Sequence, residues 1–128
     1  MDDRPAHRPY ARIELERRFL LDALPPSLTE SAFERLHDTY VTGTHLRIRH
    51  LFDPDGTWIT SKLGQKIPNP QAPNDPRQRQ MTTIYLPKSE ADVLAPLPGL
   101  WAMKRRYKIR EQGWTFCIDV CLRDDVGG

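Results

Sequence analysis

Residues 38–64 read DTYVTGTHLRIRHLFDPDGTWITSKLG, and two turn signals divide them. Gly43 sits among small polar residues. Asp53-Pro54-Asp55-Gly56 places proline and glycine where a tight turn needs one fixed and one positive φ. Between the turns the chain alternates, with Leu46 and Ile48 on one side and Arg47 and Arg49 on the other, because successive side chains of a strand point to opposite faces. Alternating runs joined by short turns form successive antiparallel hairpins. The run after the second turn, TWITSKLG, is the next strand, and simple alternation groups Lys62 with Thr60 and Trp58.

The same pattern extends outward. Upstream, RIELERRFLL lies in a strand expected from about Ala11 to Leu21, with Glu14, Glu16, Arg18 and Leu20 on one face. Ile13, Leu15, Phe19 and Leu21 take the other, with Arg17 the exception. Residues 1–10 form a lead-in without structure. DALPPSLTESAFERLHD, residues 22–38, predicts a turn at Pro25-Pro26 and a short helix capped by Ser27 or Thr29. Downstream, residues 65–78 hold four prolines and no periodicity, the composition of a long flexible loop. RQMTTIYLP is a strand and KSEADVLAPL a second short helix. GLWAMKRRYKIR and WTFCIDVCL form a last hairpin across Glu111-Gln112-Gly113. The expected class is α+β: residues 11–123 as one domain, a mainly antiparallel sheet curled into an incomplete tunnel or barrel, with two short helices.

Composition bounds the function. At 128 residues, with 38% hydrophobic and 28% charged, the chain supports one modest core and a large polar surface. A net charge of +2 supplies no general field for nucleic acid or membrane. No apolar run spans a bilayer and no secretory leader precedes the first strand, so a cytoplasmic protein is expected. Cys117 and Cys121, four apart in one strand, are separated by about 13 Å and fall outside disulfide reach. With His7, His37, His45 and His50 they make no zinc pattern.

The arrangement of charge is the informative feature. Period two puts Arg47 with Arg49, and Lys104 with Arg106 and Lys108 opposite Met103, Tyr107 and Ile109. It puts Asp119 opposite Trp114, Phe116, Ile118 and Val120. One polar strand face is ordinary, but here five strands carry one. If those faces converge, Arg18, Arg47, Arg49, Lys62, Lys104 and Arg106 share an interior with Glu14, Glu16 and Asp119. Such cations repel one another until a polyanion fills the space. Arginine forks and lysine point charges suit phosphate oxygens. Carboxylates at i and i+2 suit Mg²⁺ or Mn²⁺. From the residues alone, a solvated polar sheet stands beside this converging arrangement.

These motifs resemble those of the CYTH family, the triphosphate tunnel metalloenzymes. Glu14-Leu15-Glu16-Arg17-Arg18 is similar to that family's opening ExExK, with arginine in the lysine place. Leu46-Arg47-Ile48-Arg49, Thr60-Ser61-Lys62, Lys104-Arg105-Arg106-Tyr107 and Trp114 to Asp119 follow in the family's order. The resemblance implies an eight-stranded antiparallel tunnel that binds triphosphate with a divalent metal. It implies Arg18, Arg47, Arg49, Lys62, Arg79, Lys104 and Arg106 as phosphate ligands, and Glu14, Glu16 and Asp119 as ligands for Mg²⁺ or Mn²⁺. Glu14, Glu16 and Lys62 would be the catalytic group. Two departures weaken the metal machinery. Met81, Thr82 and Thr83 stand where acidic residues are usual, and a closing strand with a second E-x-E pair is missing.

Three functional expectations follow. The first is a metal-dependent triphosphatase acting on a triphosphate-containing small molecule. The second is a polyphosphate- or nucleotide-binding module without turnover. The third and weakest is an RNA-binding sheet using Arg47, Arg49, Trp58 and Tyr107, since stacking aromatics must share a face with the cations. No membrane partner is expected, and an uncovered edge strand would favour self-association.

Overall fold

The computed structural model describes residues 10–15 and 32–124. Seven strands and one helix follow in chain order: β1 (Arg12–Leu15), β2 (Glu34–Val41), β3 (Leu46–Phe52), β4 (Trp58–Pro68), β5 (Gln78–Leu86), α1 (Lys88–Leu94), β6 (Gly99–Glu111) and β7 (Trp114–Asp124). They form a single sheet in the order β1-β5-β4-β3-β2-β6-β7, with every neighbouring pair antiparallel. The sheet curls into a half-barrel, so the expected α+β class with a curled antiparallel sheet is what the chain adopts. The β6–β7 turn uses Gln112 at φ 50° and Gly113 at φ 80°, the doubly positive geometry that matches strand twist in a two-residue hairpin.

Three sequence expectations need correction. Glu34 to Asp38 belong to β2 rather than to a helix. Local propensity in SAFERL favours a helix, but this segment pairs with β3 on one side and β6 on the other, and a ladder on both sides outweighs a weak local preference. The proposed caps Ser27 and Thr29 lie outside the described residues, as do Glu16 to Leu21 of the first expected strand. Among the described residues there is one helix, not two.

The expected loop at 65–78 is shorter and better ordered. β4 runs on to Pro68 and pairs with β5 as far as Arg79. The remaining turn is held by its own side chains. Asn69, 6% exposed, donates to Gln78 Oε1 at 2.9 Å and accepts from the Gln71 N–H at 3.1 Å. Asp75 accepts from Arg77 and Gln78, which holds its carboxyl well below the usual range.

The third correction concerns Trp58. Leu51 pairs with Thr60 but Phe52 pairs with Trp58, so Ile59 is the extra residue of a β-bulge. The bulge turns Trp58 to the face opposite Lys62, where its indole N–H donates to Ser61 Oγ at 2.8 Å. Trp58, the aromatic that the RNA expectation grouped with the cations, therefore lies away from the basic face, and Tyr40 and Tyr85 are aromatics that share it.

Helix α1 covers that opposite face over β3, β4 and β5. Ala91 of the helix, Ile48 and Ser61 beneath it are at most 1% exposed. His50 Nδ1 lies 2.6 Å from Ser61 Oγ, and His50 Nε2 lies 3.3 Å from Asp92 of α1. With the indole of Trp58 already donating to Ser61, the network is satisfied when the hydroxyl donates to a neutral imidazole. The order Ser–His–Asp has the look of a nucleophilic triad, but a fully buried mid-strand hydroxyl is out of reach of any substrate. Its work is to dock α1. Cys117 and Cys121 are exposed and not joined in a disulfide. No helix among the described residues is long and apolar enough to cross a membrane.

Burial holds the His37 and His50 imidazoles below the ordinary histidine value; mutual repulsion adds to the effect on His37, and Asp92 opposes it at His50. Their contribution to stability is thus complete above about pH 6.5 and is lost as pH falls through the lowered values, because the unfolded chain protonates first. Urea midpoints should fall between about pH 7.5 and about pH 5.5, and His37→Gln combined with His50→Gln should flatten that slope. An unchanged slope in the double variant would assign the acid sensitivity elsewhere.

Candidate anion-binding face

Cross-strand partners in an antiparallel sheet share a face, so the registers place the charges directly. Glu14 pairs with Arg79, Arg49 with Lys62 and with Asp38, Arg47 with Tyr40 and Gly64, Glu34 with Arg106, and Arg106 with Asp119. Lys104 precedes Arg106 by two residues and pairs with Leu36 and Cys121. Glu14, Arg47, Arg49, Lys62, Arg79, Lys104, Arg106 and Asp119 therefore line one face, opposite α1. Glu16 and Arg18 lie outside the described residues.

The sheet curls toward this face. Asp38 is 2% and Arg49 6% exposed although α1 covers the other side. Charges several strands apart also act on one another. Lys62 of β4 is influenced by Glu34 of β2 and Lys108 of β6, and Asp119 of β7 by Arg49 of β3. On a flat sheet such strands are about 10–15 Å apart, at roughly 4.8 Å per strand.

The described carboxylates of this face are already engaged by cations. Asp38 accepts a bidentate pair from Arg49 at 2.7 and 2.8 Å, with the two side chains 0% and 7% exposed. Asp119 accepts the same geometry from Arg106 at 2.8 and 2.9 Å. Glu14 pairs with Lys66 at 2.9 Å, and Glu34 with Lys108 at 3.1 Å. Burial by itself raises the Asp119 carboxyl; the Arg106 hydrogen bonds, reinforced by Lys104 and Arg49, outweigh it and hold the group below the usual range. Arg106 is correspondingly pushed up by its bonds to Asp119.

What remains is cationic. Lys62 has the ring of Tyr85 at 5.4 Å, and its pKa is lowered by burial and then by Arg49 and Arg47. Lys104 donates to the Tyr40 hydroxyl at 3.4 Å. Arg79 donates to the Gln78 carbonyl at 3.1 Å. Arg47 is the least satisfied: its Nε is buried without a hydrogen-bond partner, and burial together with Arg49 lowers its pKa. Gly64 lies opposite, and a Cβ there would stand 3.5 Å from Arg47 Nη2, so the missing side chain leaves the guanidinium room to lie across β4. Arg47, Gly64, Lys66, Tyr40 and Met81 line a cavity of about 320 Å³ beside the β2–β3 turn. A larger hollow of about 610 Å³ along residues 72–77 is shallow and open to solvent.

Mg²⁺ or Mn²⁺, which the family resemblance implies, is held by one or two carboxylates with free oxygens, with water and substrate phosphate completing its shell. Among the described residues the set does not fit. Both oxygens of Asp119 are bound to Arg106, and Glu14 and Asp119 sit on β1 and β7, the end strands of the sheet. No group of three or more His, Cys, Asp or Glu gathers among the described residues.

Sequence reasoning missed Asp38, Glu34, Tyr40, Gly64 and Lys66. A signal for one ion pair was present: a two-residue turn at Gln112-Gly113 sets Glu111 against Trp114, and counting outward brings Arg106 against Asp119. No family model, curated protein or solved structure matches the chain, so the family resemblance rests on the quoted motifs alone.

Removing one partner of a buried pair strands the other charge. Asp38→Asn should destabilise the fold by about 3–5 kcal/mol in chemical denaturation. A loss under about 1 kcal/mol, the range of exposed pairs, would show that Arg49 finds another acceptor.

Proposed function

We propose that this domain binds a polyphosphate-type anion, such as a triphosphate-containing small molecule, on the concave face between β4 and β6. The observation that carries the reading is the set Arg47, Lys62 and Lys104, which project onto one face with no carboxylate paired to them among the described residues. Arg47 holds in addition a buried donor with nothing to donate to. A compact, multiply charged anion supplies what is lacking: acceptors for the Arg47 fork and neutralisation for two lysines. Arg49 and Arg106 contribute field and shape while held by Asp38 and Asp119. The proposal is for binding. Hydrolysis would require a group that activates water, and among the described residues the carboxylates of this face are tied to cations.

Inorganic triphosphate titrated calorimetrically into the protein should bind, with an affinity that falls as ionic strength rises. Arg47→Ala and Lys62→Ala should each weaken binding by about tenfold or more, the value of one charge-assisted contact. Arg77→Ala, on the exposed turn and paired with Asp75, should leave it unchanged. Equal losses in all three variants would mean that only net charge is being measured.

A further inference from the structure

The four described carboxylates of the concave face differ in reach but share one condition. Asp38 is fully buried and forked to Arg49, so no ion arriving from solvent meets it. Asp119 is partly exposed, yet both oxygens accept from Arg106. Glu14 and Glu34 each give one oxygen to a lysine at about 3 Å. Each sits beside the cation it neutralises, and the pairs lie on different strands across the sheet. To take a divalent ion, Asp119 would have to release two charge-assisted hydrogen bonds and leave the Arg106 guanidinium unpaired in a half-buried position.

We propose that this face recognises its polyanion in the metal-free form, and that divalent cations compete with the protein for the anion. The inference rests on the anion-binding reading above and deepens it. The carboxylates act as internal counter-ions. They fix Arg49 and Arg106 in orientation and lower the repulsion among the cations, which leaves Arg47, Lys62 and Lys104 to meet the ligand. Mg²⁺ bound to a triphosphate removes part of its charge and occupies the oxygens these three side chains would use, so the complex is a poorer ligand.

The test is a calorimetric titration of inorganic triphosphate in EDTA and again in excess Mg²⁺, with wild type and Asp119→Asn. Wild type should bind in EDTA and several-fold more weakly in Mg²⁺. Asp119→Asn frees Arg106, adds one positive charge and should bind the metal-free anion several-fold more tightly. Binding that needs Mg²⁺, and that Asp119→Asn abolishes, would overturn the inference and make Asp119 a metal ligand while leaving the anion-binding reading intact. Absence of binding in both buffers would overturn the anion-binding reading itself. A circular-dichroism melt of each preparation separates either result from loss of fold.

Discussion

The buried pair of Asp38 and Arg49 is the constraint around which the sheet is built. Asp38 lies on β2, flanked by β3 and β6; Arg49 lies on β3, flanked by β2 and β4. Two charges removed from water are tolerated only when their geometry is good, and that geometry exists in one register. A slip of two residues between β2 and β3 would keep every side chain on its face. It would also set Arg49 against Leu36 or Tyr40 and leave an unpaired charge in the interior. Alternation decides which face a residue takes; this pair decides which residue it meets. The same carboxylate also acts favourably on Arg47 and Arg106, so one acidic side chain moderates the repulsion of a whole cluster.

How much of this was legible in the sequence depended on the range over which each feature is decided. The hairpins at Gly43, Asp53 to Gly56 and Gln112-Gly113 are set by turn chemistry, and alternation outward from them placed Arg47, Arg49, Lys62, Lys104 and Arg106 on a common face. The strand character of Glu34 to Asp38 was hidden because its causes lie on β3 and β6. The bulge at Ile59 was hidden for a related reason: an extra residue is accepted where the two strands fit around it, and nothing in TWITSK announces it. Pro68 was read as the mark of a loop, whereas it stands at the last position of β4, where the missing N–H does little harm.

The candidate site divides in the same way. Which side chains are cationic and where they point is a matter of period two. Which carboxylate neutralises which cation is a matter of register, and alternation alone did not show the partners of Glu14 and Asp119. The motif order that suggests a triphosphate tunnel and the pairing that ties up its acidic residues are compatible. A cationic groove needs the cations in place whether or not metal chemistry accompanies them.

The surplus cations have a stability consequence that helps to locate the ligand. A well-packed fold pairs its buried donors, and Arg49 and Arg106 obey that rule. Arg47 does not, although Asp38 lies only one strand away; Arg49 takes both oxygens of that carboxylate first. The position opposite Arg47 on β4 is Gly64, which offers no acceptor and no bulk, and Lys62 two residues along brings a second cation. The protein therefore holds two like charges close together at the β3–β4 step, the pKa of both lowered by desolvation and by Arg49, and that of Lys62 further by Arg47. Strain of this kind persists where the surrounding structure enforces it and where function draws on it. An anion seated across that step would relieve the repulsion and satisfy the Arg47 donor in one event, so ligand affinity and ligand-induced stabilisation should both centre on these two residues.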